Sequence, residues 1–113
     1  MPPGLASGAE ALVRLVETDA PADAIFFAGD VLAMGASLEC ARRGWAVPDK
    51  VGIAAFDNFD LLGHLVPPVT TLRLPRLEIG RRSAQVLLDR IQGRASGPVS
   101  VDLRFEIIHR AST

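Results

Sequence analysis

Apolar positions recur along the chain with several distinct periods, and each period predicts a different element. Leu12, Val13, Leu15 and Val16 share one broad face at helical spacing, predicting a helix to about Glu17 that Pro21 stops. Ser7-Gly8-Ala9-Glu10 just before them reads as a capping box, the Ser7 hydroxyl accepting from the Glu10 N–H while Glu10 reaches back. Ala24–Ala28 is a short continuous apolar run, predicting a strand covered on both faces. Asp30 then suits the N-cap of a helix over roughly Val31–Arg43, with small residues at Gly35 and Ala36, Arg42 and Arg43 in the last turn and Gly44 just beyond it. After a Pro48-Asp49 turn, Val51–Phe56 is a second buried strand, and Leu61–Val66 suggests one helical turn ahead of Pro67-Pro68. Val69–Arg73 is a third strand, rich in β-branched residues. Leu77, Gly80, Ala84, Leu87, Leu88 and Ile91 give an amphipathic helix after Pro75, ended by Gly93. Val99, Val101, Leu103, Phe105 and Ile107 alternate with Ser100, Asp102, Arg104, Glu106 and Ile108, predicting a half-exposed strand at or near a sheet edge.

Helices alternating with strands predict an α/β fold: a mostly parallel sheet with helices on both faces. The first helix has no strand before it, and four strands with three helices make a small sheet. The 113 residues therefore read as the C-terminal part of a larger α/β protein.

Composition narrows the function classes. A hydrophobic fraction of 49% is ample for a packed core. Twelve Lys and Arg against thirteen Asp and Glu leave a net charge of -1, which excludes a domain-wide basic surface for gripping phosphate backbones. No apolar run approaches the ~20 residues of a membrane span, so no membrane association is expected. The start, Met1-Pro2-Pro3-Gly4, has no secretory pattern. A single cysteine, Cys40, allows neither an internal disulfide nor a Cys-based metal site, and these features point to a cytoplasmic setting. Lys50 is the only lysine among the basic residues, a skew consistent with a GC-rich genome.

Catalytic signals are poor. Cys40 lies mid-helix among small residues, His64 and His109 lack metal-ligand spacing, and Ser7, Ser83 and Ser112 have no nucleophile-elbow context. No glycine-rich phosphate loop is present. The expectation is a non-enzyme with no catalytic residue, metal or cofactor. In open α/β sheets ligands bind at the carboxyl ends of strands. Gly29 and Asp30 follow the first strand there, and Asp57, Asn58 and Asp60 follow the second, interleaved with Phe56 and Phe59. A carboxylate and a carboxamide beside aromatic rings suit a polyhydroxylated ligand. An ordinary Asx-type loop explains the same residues.

Longer motifs carry a family resemblance. Asp23–Ala36 resembles the "DAIFxxNDxxAxGA" segment of the LacI/GalR family of bacterial transcription regulators. Arg43–Asp49 resembles its "RGxxVPxD" turn, Val51–Asn58 its "VxIxGFDN", Pro67–Arg73 its "PPLTTVR" and Gly80–Gly93 its "GxxAxxLLxxRIxG". The stretches Phe56–Asp60, Leu74–Gly80 and Val101–Thr113 look most like the gluconate-operon repressor branch. The resemblance implies the C-terminal lobe of a two-lobed periplasmic-binding-protein-like effector domain, with residues 1–113 as its final portion. Operator DNA would be bound only by an N-terminal helix-turn-helix that these residues do not include. It implies effector contacts, to a sugar or a sugar acid such as gluconate, from Asp57, Asn58, Leu74, Arg73 and Arg76. Gly29 stands where the family has Asn, which removes a bidentate contact. It also implies a homodimer through the C-terminal lobe, using Met34, Ser37, Leu38, Leu61, Leu62, Leu65 and Val66. The helix Leu77–Ile91 would pack on the other lobe, so this chain alone is expected to self-associate or to be marginally stable. A periplasmic sugar-binding transport receptor shares the architecture and is the alternative reading.

Overall fold

The computed structural model describes residues 4–113. They form α1 (Leu5–Val16), β1 (Ala24–Phe27), α2 (Asp30–Arg43), β2 (Gly52–Phe56), a 3-10 turn (Asp60–Gly63), β3 (Thr70–Arg73), α3 (Arg76–Ile91) and β4 (Glu106–Ile108). The predicted element order holds throughout. The four strands make one sheet in the order β1-β2-β3-β4. β1 pairs parallel with β2, with Ile25 opposite Ile53 and Phe27 opposite Ala55, and β2 pairs parallel with β3, with Phe56 opposite Leu72. The chain divides into two compact units, residues 4–73 with 107–113, and residues 74–106.

In the first unit the core lies between the sheet and a helical layer. Ile53 and Ala55 of β2 and Phe27 of β1 are buried in one cluster with Ala33, Met34, Ala36 and Cys40 of α2 and Leu12 and Val16 of α1. The opposite faces of the same strands differ: Phe26 is 57% exposed and Phe56 39%. β1 is therefore not covered on both faces within this unit, because its continuous apolar run faces the helices only through Ile25 and Phe27. The two helices meet at their backbones. A Cβ at Gly8 would lie 2.0 Å from the Leu32 carbonyl oxygen, and one at Gly35 would lie 2.0 Å from that of Leu5. Only glycine at these two crossing points allows such an approach.

Helix ends correct two expectations. α1 starts at Leu5 with Gly4 at the N-cap, and the Gly8 N–H already donates to the Gly4 carbonyl at 3.1 Å. Ser7 therefore lies inside the first turn, and no side-chain capping bond forms. Asp30 is the first residue of α2, with Gly29 at the cap position. Its carboxylate accepts from the neighbouring Val31 N–H at 2.8 Å and sits favourably at the positive end of the helix. At the other end Gly44, with φ 70, closes α2 as expected, and the Trp45 N–H donates to the Cys40 carbonyl at 2.9 Å.

The second unit holds α3 and the segment that follows it. The alternating run Val99–Ile107 is not a strand over its length; only Glu106–Ile108 is. Arg104 takes φ 65, and its N–H donates to the Asp102 carboxylate at 2.8 Å, a local turn that competes with any ladder. α3 has no buried residue, and Leu77 is 81% exposed.

Candidate functional site

Because β1, β2 and β3 run parallel, their carboxyl ends share one edge of the sheet. Gly29, half-buried, stands past the end of β1; Asp57 and Asn58, both half-buried, follow β2; Arg73, exposed, ends β3. Asp57 has φ 82, in the left-handed region. Its carboxylate accepts from the Asn58 N–H at 2.9 Å, the local bond that lets an aspartate adopt this conformation. The exposed rings of Phe56 and Phe59 flank it in sequence. Leu74 and Arg76, the other expected contacts, belong to the second unit. There Leu74 lines a groove of about 560 Å³ with Ile79, Val86, Val99, Val101 and Phe105, and Arg76 opens α3.

Asn58 is tied into the protein through its side-chain oxygen. Its Oδ1 accepts from the Thr71 hydroxyl at 2.9 Å and from Arg110 Nη2 at 3.2 Å. That oxygen is committed to the protein and ties the Asn58 loop to β3 and to Arg110. Arg110 also donates through Nη1 to the Val69 carbonyl at 2.8 Å, and a Cβ at Gly63 would come within 3.3 Å of its Nη2. The buried Ser112 hydroxyl accepts from the Thr70 N–H at 2.8 Å and donates to the Ile53 carbonyl. The Ser112 carbonyl accepts from the Ile53 N–H at 3.0 Å. Residues 110–113 thus join β2 to β3. Sequence reasoning missed them, although β3 offered a signal: two adjacent threonines need hydroxyl partners when buried, and Thr70 and Thr71 are buried.

The expected dimer residues separate into two groups. Met34, Ser37 and Leu62 are buried within the chain, Leu62 at 0% exposure, because they pack on the sheet and the core. Leu65 is half-buried, while Leu38, Leu61 and Val66 are exposed, Val66 at 87%. A groove of about 770 Å³ runs between α1 and α2 and is lined by none of the strand-end loops. On its wall Glu39 accepts from Arg42 Nη2 at 2.7 Å and from Arg43 Nε at 2.8 Å, and Arg43 reaches Glu17 at 3.2 Å. The hydrogen bonds from Arg42, then those from Arg43, hold the Glu39 carboxyl below its ordinary range. Cys40 is buried, and desolvation pushes its thiol up, the direction of an inert cysteine. Among the described residues no group of three His, Cys, Asp or Glu is placed to hold a metal, and no helix is long and apolar enough to cross a membrane.

The profile of the periplasmic binding protein-like domain matches residues 2–113. The chain belongs to that family. Transcription regulators are among its relatives. It is 40% identical over 107 residues to the transcriptional repressor CytR of Escherichia coli K12, a match covering 95% of this chain and 31% of the relative. The structure of the transcription regulator GntR from Chromobacterium violaceum superposes with a TM-score of 0.86 at 34% identity, covering 99% of this chain and 41% of the other. A LacI family transcriptional regulator from Enterococcus faecium, with bound ribose, superposes with a TM-score of 0.80 at 29% identity, covering 97% and 40%. The chain spans about a third of the length of the curated relatives it matches. The LacI-type resemblance of the motifs and the α/β periplasmic-binding-protein-like fold are both shown by these matches.

Proposed function

We propose that this chain is the effector-binding and dimerising portion of a cytoplasmic LacI-type transcription regulator, in which a small polyhydroxylated ligand shifts the balance between states of different operator affinity. The observation that carries the reading is Asp57, held at φ 82 at the shared carboxyl edge of three parallel strands. A carboxylate so placed accepts from two vicinal hydroxyls of a sugar, and an aromatic ring beside it covers an apolar sugar face. Arg73, at the end of β3, supplies the positive charge that would favour a sugar acid such as gluconate over a neutral sugar. Binding uses no covalent chemistry and no metal. Exposed Leu38, Leu61 and Val66 form the apolar part of the homodimer face. Regulators among the relatives favour this reading over a transport receptor.

The test is an amide chemical-shift titration of the chain with gluconate and with ribose. The expected result is saturable shifts confined to residues 28–30, 56–59 and 73, abolished by Asp57→Ala. Arg73→Ala should weaken gluconate and spare ribose. Absence of saturable shifts with either ligand, or shifts centred on the α1–α2 groove, would refute the site. An in-frame helix-turn-helix encoded upstream of Met1 supports the regulator, and a signal peptide there supports the receptor instead.

A further inference from the structure

The guanidinium of Arg110 reaches two points far before it in sequence, donating to the Asn58 side chain at 3.2 Å and to the Val69 carbonyl at 2.8 Å, and it lies so near Gly63 that a Cβ there would come within 3.3 Å of it. Its own backbone is fixed as well, since the Arg110 N–H donates to the Thr70 hydroxyl at 2.9 Å and the Ser112 N–H donates to the Pro68 carbonyl at 3.1 Å. Within the segment it grips, residues 58–69, several backbone bonds are local, as from Leu62 N–H to the Phe59 carbonyl and His64 N–H to the Leu61 carbonyl. Asp57 immediately precedes that segment, and the exposed Leu61 and Val66 lie along it.

We propose that Arg110 is a positioning residue: a latch from the C-terminal tail that holds residues 57–69 in the arrangement presenting Asp57 to ligand. The presentation to ligand rests on the functional reading above; the latch itself does not. The fork geometry matters. One nitrogen holds the Val69 carbonyl and another the Asn58 side chain, which a lysine ammonium on one flexible stem cannot reproduce. The carboxamide of Asn58 is the relay, since Thr71 and Arg110 converge on its single oxygen. A loosened loop would let Asp57 leave its left-handed conformation for commoner backbone wells.

The experiment compares the wild-type chain with Arg110→Ala, Arg110→Lys and Asn58→Ala, using residue-resolved hydrogen exchange without ligand and gluconate and ribose titrations with it. Exchange at Leu62, His64 and Val69 should rise about tenfold or more in Arg110→Ala, with β1 and β2 amides changing much less. Arg110→Lys should behave like Arg110→Ala, and adding Asn58→Ala to Arg110→Ala should loosen the loop little further. A uniform rise across the first unit would show a merely structural role and overturn the proposal, as would full protection in Arg110→Lys or no change at all. If the variants loosen the loop locally and the wild type binds neither sugar, the latch stands and the effector reading fails. If the wild type binds and Arg110→Ala binds equally well, the positioning role is overturned and the effector reading stands.

Discussion

Replacing Gly35 with alanine tests the architecture that carries the site. The added Cβ would meet the Leu5 carbonyl oxygen at 2.0 Å, its carbon at 2.7 Å and its Cα at 2.8 Å. Ordinary contact begins near ~3.5 Å, so α1 and α2 must part by about 1.5 Å along that line. Both surfaces are main chain, and neither can yield by changing a rotamer. Overpacking costs about 1–3 kcal/mol in adaptable cores, and this site belongs at the upper end or above it. Alanine improves helix propensity by about 1 kcal/mol, which offsets part of the cost. The net loss should be about 2 kcal/mol or more, a fall in Tm of roughly 8–16 °C. Gly8→Ala should act alike, since its Cβ would meet the Leu32 carbonyl at 2.0 Å. The double variant should cost less than the sum, because one separation of the helices relieves both clashes. Gly80→Ala in α3 is the internal control: its Cβ meets nothing within 4 Å, so helicity should be kept or raised. The assay is thermal unfolding followed by far-ultraviolet circular dichroism. A Gly35→Ala chain melting within about 2 °C of wild type would mean that the helices do not meet at these glycines.

Other expectations follow from the same contacts. Ser112→Ala strands the buried Thr70 N–H and Ile53 carbonyl, and the urea midpoint should fall by an amount equivalent to about 2 kcal/mol; an unchanged midpoint would show that the tail does not join the strands. Glu39, hydrogen-bonded first by Arg42 and then by Arg43, has its folded-state pKa below the ordinary 4.5. Its contribution is therefore present above that value and is lost as pH falls through the lowered one. Glu39→Gln should narrow the stability gap between neutral and strongly acidic solution, and an unaltered gap measured by urea unfolding would count against the pairing. Val66→Asp, at a position 87% exposed, should leave the monomer's stability alone and shift sedimentation toward monomer if Val66 belongs to the dimer face. A dimer equally tight in the variant places the interface elsewhere.

How much of this was legible in the sequence depends on how far apart the interacting residues are. Helices and strands were readable because their signals are local: Leu12 and Val16 repeat at helical spacing, and Gly44 stands one residue beyond its helix and takes φ 70 there. The same local logic misplaced the first cap, because a Ser-x-x-Glu pattern says nothing about whether backbone bonding begins a turn earlier, as Gly4 and Gly8 make it do. It also extended the last strand over Val99–Ile107, where alternation alone cannot supply a partner ladder and Asp102 captures the Arg104 N–H instead. Which face of a strand is covered is a tertiary fact: Phe26 and Phe27 are chemically identical neighbours, and only the arrival of α2 on one side buries the second and leaves the first exposed. The candidate site divides in the same way. Asp57 was visible from its place after an apolar strand. The hydrogen bonds of Asn58 were not, because its partners lie 13 residues away at Thr71 and 52 residues away at Arg110. A polar side chain's function is decided by which of its atoms the fold has already engaged. For Asn58 that engagement ties the loop after β2 to β3 and to Arg110 near the end of the given sequence.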